Sequence, residues 1–290
     1  MLIIICAMYC EAKGLIKHFC LKKKEYSAFD IYAASDDRVV LIISQTGRVN
    51  AAAAVGCVCG MYAGQYNINI VNFGIAAGRS EDIGKLFLVN KIVDSCQGNT
   101  FFPDMLFAAD IDERAIYTQE NVVASVYEDA NVVNGEEGIL YDMEAAAIYQ
   151  AGVHFAGPHQ MSFLKLVSDS GVRSKKEGTH MTAEAVERLI DARMDEIIKY
   201  IDTVLLSVQK DKDKYSLSSE NQLLFVKTVK DMHCSKSMER ELMQQFRYHE
   251  LSQNSLAEEI NKMYDEGKLP CRDKRTGKVY FDELKRAVLQ

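Results

Sequence analysis

The chain has 290 residues, 48% of them hydrophobic, and carries a formal net charge of −7 at pH 7. That length suits one large domain, or one domain with an extension, built on a sizeable core. Residues 1–206 hold 18 basic and 27 acidic side chains and residues 207–290 hold 16 and 14, so neither part has the charge of a strong nucleic-acid binder.

No apolar run approaches the roughly 20 residues that cross a bilayer. Residues 2–5 begin without the basic start or cleavage site of a signal peptide. The eight cysteines are scattered, and Cys57-Val58-Cys59 lacks both the spacing of a zinc knuckle and a paired His motif. Reduced, mostly buried thiols in a cytoplasmic protein are expected, with no metal and no cofactor.

Leu2-Ile3-Ile4-Ile5-Cys6-Ala7 is a continuous apolar run, which predicts a strand buried on both faces. It ends at Met8-Tyr9-Cys10-Glu11, and a short helix follows with Leu15, Ile16 and Phe19 on one side. Glu11 stands where a first-turn carboxylate complements the helix dipole. Residues 31–33 and 39–44 are the next strands. Gln45-Thr46-Gly47-Arg48 then turns a strand into an Ala-rich helix. Gly lets the backbone approach a ligand closely, and the helix start offers free N–H groups. Residues 69–73 predict a strand running into a small-residue turn over 74–78, and residues 86–93 another strand. Residues 96–103 form an aromatic loop, whose adjacent Phe101 and Phe102 suit a core plug, an apolar pocket or a subunit contact.

Residues 122–126 predict a further strand. Tyr141-Asp142-Met143-Glu144-Ala145-Ala146-Ala147-Ile148 opens a helix expected to reach residue 155. Its small side chains allow close packing on a sheet, and Glu144 sits at a strand–helix junction, where open α/β folds place ligand-contacting groups. Taken alone, Asp142 and Glu144 fit equally well as helix-start carboxylates. Residues 163–169 are a strand ending in a carboxylate. Residues 182–206 carry apolar positions at helical spacing and predict one long helix. The composition shifts at residues 211–216, as in a solvated linker or a frayed helix end. Beyond it, residues 223–229, 238–246, 256–263 and 279–288 predict four helices. The alternation indicates an α/β fold, with a mixed, largely buried central sheet flanked by helices over residues 1–209. An all-α extension of unassigned role follows over residues 210–290.

Three carboxylates therefore stand at strand ends or a helix start: Glu11, Glu144 and Asp169. Around them lie Ala7-Met8, Gly47 ahead of Val49-Asn50-Ala51-Ala52-Ala53, Asn72-x-Gly74-x-Ala76-x-Gly78, Asp142-Met143-Glu144-Ala145-Ala146-Ala147-Ile148 and Ser168-Asp169. By their order and spacing, residues 1–206 resemble the nucleoside phosphorylase/nucleosidase family, and most closely its 5′-methylthioadenosine/S-adenosylhomocysteine nucleosidases. The resemblance implies that family's fold, a purine nucleoside substrate, a homodimer and roles by position. Glu11 would orient and deprotonate the attacking water. Met143 would pack on the ribose and Glu144 would hold its hydroxyls. Asp169, supported by Ser168, would deliver a proton towards purine N7, with Met8, Gly47 and Gly74 completing the substrate site.

The chemistry asks for such groups. An N-glycosidic bond breaks through an oxocarbenium-like state. The purine leaves poorly as an anion, so an acid is needed on its side, and water needs a base on the other face. This sequence departs from the family where Asp129-Ala130 is followed by Asn131-Val132-Val133 instead of an aromatic residue. Tyr127 and Phe101 are the candidates to replace it. Ile75 stands where a small hydroxyl residue is common. The expected function is hydrolysis of the N-glycosidic bond of a purine or 5′-thioadenosine-type nucleoside. Phosphorolysis and non-catalytic binding of a nucleoside or partner are the alternatives. Phosphate, a dianion, needs several fixed donors, and Arg48 and Arg79 are the only basic residues in the Gly turns.

Overall fold

The computed structural model describes residues 1–25, 28–62, 67–121, 138–171, 181–214, 217–252 and 256–288. The strand predicted at 122–126, Tyr127 and the segment 129–133 lie outside the described residues. The chain divides into two compact units, Met1–Gln209 and Lys210–Gln290.

The first unit contains strands β1 (Leu2–Cys6), β2 (Lys22–Lys23), β3 (Asp30–Ala33), β4 (Val39–Ile43), β5 (Asn69–Ala77), β6 (Leu86–Asp94), β7 (Thr100–Phe101), β8 (Asp112–Thr118), β9 (Leu140–Asp142) and β10 (Met161–Asp169). Helices α1 (Tyr9–His18), α2 (Arg48–Tyr62), α3 (Ala145–Gly152) and α4 (Ala183–Asp191) flank them, and α5 (Met194–Lys214) starts here. β1 runs parallel to β4 on one side and β5 on the other. β5 is also parallel to β10, which pairs antiparallel with β6. β6 is parallel to β8 and β8 to β9. β9 then closes on β5 through Ala77 and Tyr141. Strands β5, β10, β6, β8 and β9 thus form a closed ring, from which β1, β4, β3 and β2 extend as an open wing.

The apolar run of β1 follows from its place between two layers. Ile3 and Ile5 join Val40, Ile42 and Phe163 under α2 and α3. Leu2 and Ile4 join Leu41, Leu164 and Leu166 under Leu15 of α1, Ile190 of α4 and Ile201 of α5. Successive residues face opposite sides of a sheet, so a strand covered on both faces is apolar throughout. Each such side chain contributes about 1.5–3 kcal/mol of burial. Ala51 and Ala54 of α2 and Ala145 to Ala147 of α3 are buried, and their small size lets the two helices pack together on the sheet.

The structure departs from the sequence reading at four places. β5 does not turn at Gly74. It stays in register with β10 through Lys165↔Gly74, Leu166↔Ile75 and Val167↔Ala76, because β10 supplies a partner for its backbone throughout. β8 has no strand-like pattern at its start, where Asp112-Glu113-Arg114 is charged, yet it stands in the ring between β6 and β9. The helix expected over 182–206 is two helices. The Arg193 N–H bonds back to Ile190 at three residues instead of four, and its Nε donates to the Gly84 carbonyl at 2.9 Å, so the chain bends without Gly or Pro. Finally, α3 ends at Gly152 and not at 155.

In the second unit, α5 runs on to Lys214. There follow α6 (Ser219–Asp231), capped by the Ser218 hydroxyl, then α7 (Lys236–Ser252), α8 (Leu256–Asp265) and α9 (Lys274–Val288). These four predicted helices enclose their own core of Phe225, Met232, Leu242, Phe246, Ile260 and Phe281. Phe225 and Phe246 meet edge to face at 5.7 Å, a favoured aromatic geometry. Among the described residues no helix is long and apolar enough to cross a membrane. The eight cysteines are free thiols.

Candidate active site

The parallel strands β1, β5 and β10 end on one edge of the sheet, and a cavity of about 340 Å³ opens there. Crevices at strand C-termini are where open α/β sheets bind ligands. Its walls include Met8 and Glu11 beyond β1, Ile75 to Ala77 of β5, Met143 and Glu144 beyond β9, Ser168 and Asp169 of β10, and Met181, Ala183 and Val186 at the start of α4.

Glu11 lies in the first turn of α1 and is buried. Its Oε2 accepts the N–H groups of Ala7 (2.8 Å) and Met8 (2.9 Å), and its Oε1 accepts that of Ile75 (3.0 Å). Burial pushes its pKa above the ordinary carboxyl value, against the pull of those N–H groups and of Lys165. A carboxylate has about four acceptor sites, so Oε1, with its one bond, retains capacity for a further donor. Gly74 leaves room for this seat, since a Cβ there would stand 3.0 Å from Oε1 and crowd it.

Asp142 and Glu144, equivalent by sequence, divide their roles. Asp142 caps α3, its Oδ2 accepting the Ala145 N–H at 2.9 Å. Thr118 of β8 donates its hydroxyl to Asp142 Oδ1 at 2.7 Å and accepts the Ala146 N–H at 2.9 Å. Glu144 makes no cap bond. Its Oε1 accepts the Gly47 N–H at 2.7 Å. Gly47 sits at φ +97, a conformation that favours glycine. Burial first, and then repulsion by Asp142, raises the Glu144 pKa to about 7, with Lys165 and the Gly47 N–H opposing.

Lys165 is the group sequence reasoning missed. It is 1% exposed in the middle of β10, and its ammonium meets Asp142 Oδ2 at 2.9 Å. Burial pulls its pKa down, but the carboxylates of Asp142, Glu144 and Glu11 outweigh that and hold it above the ordinary lysine value. The available signal was a lone Lys within Phe163-Leu164-Lys165-Leu166-Val167. A charge inside a strand buried on both faces requires a paired partner. Thr118 left no such signal.

At the end of β10 the pairing with β5 skips Ser168, between Val167↔Ala76 and Asp169↔Ala77. Such a bulge re-aims the side chains beside it. Asp169 then receives the Ser168 hydroxyl on Oδ2 at 2.6 Å and the Gly171 N–H on Oδ1 at 2.9 Å. Of the predicted residues, Met8, Glu11, Met143, Glu144, Ser168 and Asp169 line the cavity. Gly47 and Gly74 stand behind Glu144 and Glu11. Phe101 is not with them. Its pairing with Ile92 through β7 turns its ring onto Tyr149 at 4.9 Å.

Among the described lining residues there is no Arg or Lys. Arg48 is committed to Asp94 through two bonds of 2.5 and 2.6 Å, and Arg79 lies 3.7 Å from Glu81. Among the described residues no group of three or more His, Cys, Asp or Glu is placed to hold a metal.

No family model matches the chain, and no curated protein matches it. Solved structures do. A 5′-methylthioadenosine nucleosidase of Arabidopsis thaliana in apo form superposes with a TM-score of 0.55 at 19% identity, over 70% of this chain and 95% of that one. The 5′-methylthioadenosine/S-adenosylhomocysteine nucleosidase of Neisseria meningitidis, in complex with methylthio-immucillin-A, gives 0.53 at 19%, over 71% and 98%. A futalosine hydrolase mutant of Helicobacter pylori gives 0.50 at 13%, over 69% and 98%. Over about 70% of its length the chain therefore has the nucleosidase fold.

Proposed function

We propose that the protein is an N-glycosidase that hydrolyses the bond between the sugar and the base of a purine nucleoside. The observation that carries this reading is the convergence of Glu11, Glu144 and Asp169, from three strand ends, on one cavity. Glu11 takes the proton of a water on its free Oε1 site. Glu144 holds the sugar hydroxyls over Met143 and stabilises the positive charge that develops on the ring. Asp169, aligned by Ser168, passes a proton to the leaving base.

Hydrolysis is favoured over phosphorolysis because the described walls offer carboxylates and no guanidinium, and carboxylates repel a phosphate dianion. The Neisseria neighbour binds methylthio-immucillin-A, so 5′-methylthioadenosine heads the substrate panel, followed by S-adenosylhomocysteine and adenosine. Base release is expected in phosphate-free buffer, with free sugar as the product by mass spectrometry. A strict phosphate requirement with sugar 1-phosphate appearing would overturn the hydrolytic reading.

A homodimer is part of the same proposal. Phe102, Met105 and Leu106 stand exposed on one short loop, and clustered exposed apolar side chains fit an interface better than solvent. Sedimentation is expected to show a dimer that Phe102→Asp weakens. A monomeric wild-type protein at the same concentration would remove this part of the proposal.

A further inference from the structure

The ion pair of Arg48 and Asp94 lies outside the cavity lining, yet it is among the most fully satisfied polar groups of the first unit. Asp94, at the end of β6, is fully buried. Its Oδ1 accepts Arg48 Nη1 and the N–H groups of Cys96 (3.0 Å) and Gln97 (3.2 Å). Its Oδ2 accepts Arg48 Nη2 and, at 2.8 Å, Nε2 of Gln150. The Arg48 side chain is 14% exposed.

Arg48 is the first residue of α2, and the residue before it is Gly47, whose N–H donates to Glu144. Gln150 belongs to α3, and the residue that opens α3 is Glu144. One carboxylate thus ties together the two helices whose starts carry the donor and the acceptor of the Gly47–Glu144 bond. Near their starts both helices bury alanines, Ala51 and Ala54 of α2 and Ala145 to Ala147 of α3, and small side chains interdigitate little, so packing there does not by itself pin one helix start against the other. A two-pronged guanidinium–carboxylate pair fixes orientation as well as distance.

We propose that Arg48, Asp94 and Gln150 are positioning residues that hold the Gly47 N–H against Glu144. The functional side of this inference rests on the reading of Glu144 as the group that holds the sugar hydroxyls. Glu144 faces Asp142 of β9, Lys165 of β10, Glu11 of α1 and the Gly47 N–H. Of these, the Gly47 N–H is the one the node controls. A hydrogen bond to the charged form favours that form, so losing the alignment raises the Glu144 pKa further.

The test uses the full chain and a double variant, Arg48→Met with Asp94→Asn. Removing both charges leaves no lone buried ion, and Asn keeps an acceptor for the Cys96 and Gln97 N–H groups. Gln150→Leu is the milder variant, which cuts the α3 tie without touching a charge, and Arg48→Lys keeps the charge without the two-pronged grip. Glu144 is followed by NMR of carboxyl-labelled glutamate, with Glu144→Gln assigning its signal. Its titration midpoint is expected to rise by about 0.5–1 pH unit in the double variant, and by less in Gln150→Leu and Arg48→Lys. Base release is expected to lose about 10-fold of its preference for a riboside over the matching dideoxyriboside. A midpoint unmoved in folded variants would overturn the inference. A moved midpoint in a protein that releases base from no nucleoside would keep the node and refute the nucleosidase reading.

Discussion

The two units bury different things. The first buries Glu11, Asp82, Asp94, Asp142, Glu144 and Lys165 among its apolar residues. The second, among its described residues, buries Thr228 and His249 as its polar side chains and is otherwise apolar. Burying a charge is costly unless it is paired and hydrogen-bonded. In the first unit every one of these charges has its partner, and four of them surround or underlie one cavity. The second unit thus keeps its ion pairs, such as Lys285 with Glu241, at or near the surface of an apolar core, whereas the first places buried charges around its cavity.

The largest test of that contrast is Lys165→Met, which leaves Asp142 buried without its cation. A loss of about 4 kcal/mol is expected in urea unfolding, and adding Asp142→Asn should recover part of it. A loss under about 1 kcal/mol would mean the buried charges of the first unit are not interdependent. The matching change in the second unit is Phe246→Ala, expected to cost that unit about 3 kcal/mol by cavity formation, with base release per folded molecule unchanged. The sharper form of this arm is truncation after Gln209. Residues 1–209 are expected to stay soluble and active, and aggregation would show that the first unit needs the second.

A comparable effect is expected from pH. The Glu144 carboxyl is raised from 4.5 to about 7, so folding strengthens its hold on a proton. Its contribution, about 3 kcal/mol by linkage, is complete below pH 4.5 and is lost as pH rises through 7. Thermal unfolding of wild type should therefore fall relative to Glu144→Gln between pH 5 and about pH 8. Parallel curves would show that Glu144 is not strained by burial. The smallest energetic effect is Asp169→Asn. Turnover is expected to fall about 10²-fold, or roughly 2.7 kcal/mol on the barrier, with the unfolding midpoint nearly unmoved. Unchanged turnover in a folded variant would move the acid elsewhere.

The sequence alone determined the local elements and which carboxylates to look for around the cavity. The apolar run of β1, the Gly47 turn into α2, the strand ending at Asp169 and the four terminal helices were legible because each is set by periodicity or turn chemistry within a few residues. Glu11, Glu144 and Asp169 were legible through motifs whose order along the chain survives without any contact being known. Tertiary structure decided the rest. The ring closes through a single pair between Ala77 and Tyr141, and β8 is a strand because β6 and β9 flank it, not because of its charged opening. The bend at Arg193 comes from a bond to a carbonyl more than a hundred positions away. The sequence could not say which of Asp142 and Glu144 caps the helix and which accepts the Gly47 N–H. Thr118 and Lys165 settle that from other strands. Partners so distant in the chain leave no local pattern, because pairing charges in a core depends on which strands are neighbours, and only the folded sheet decides that.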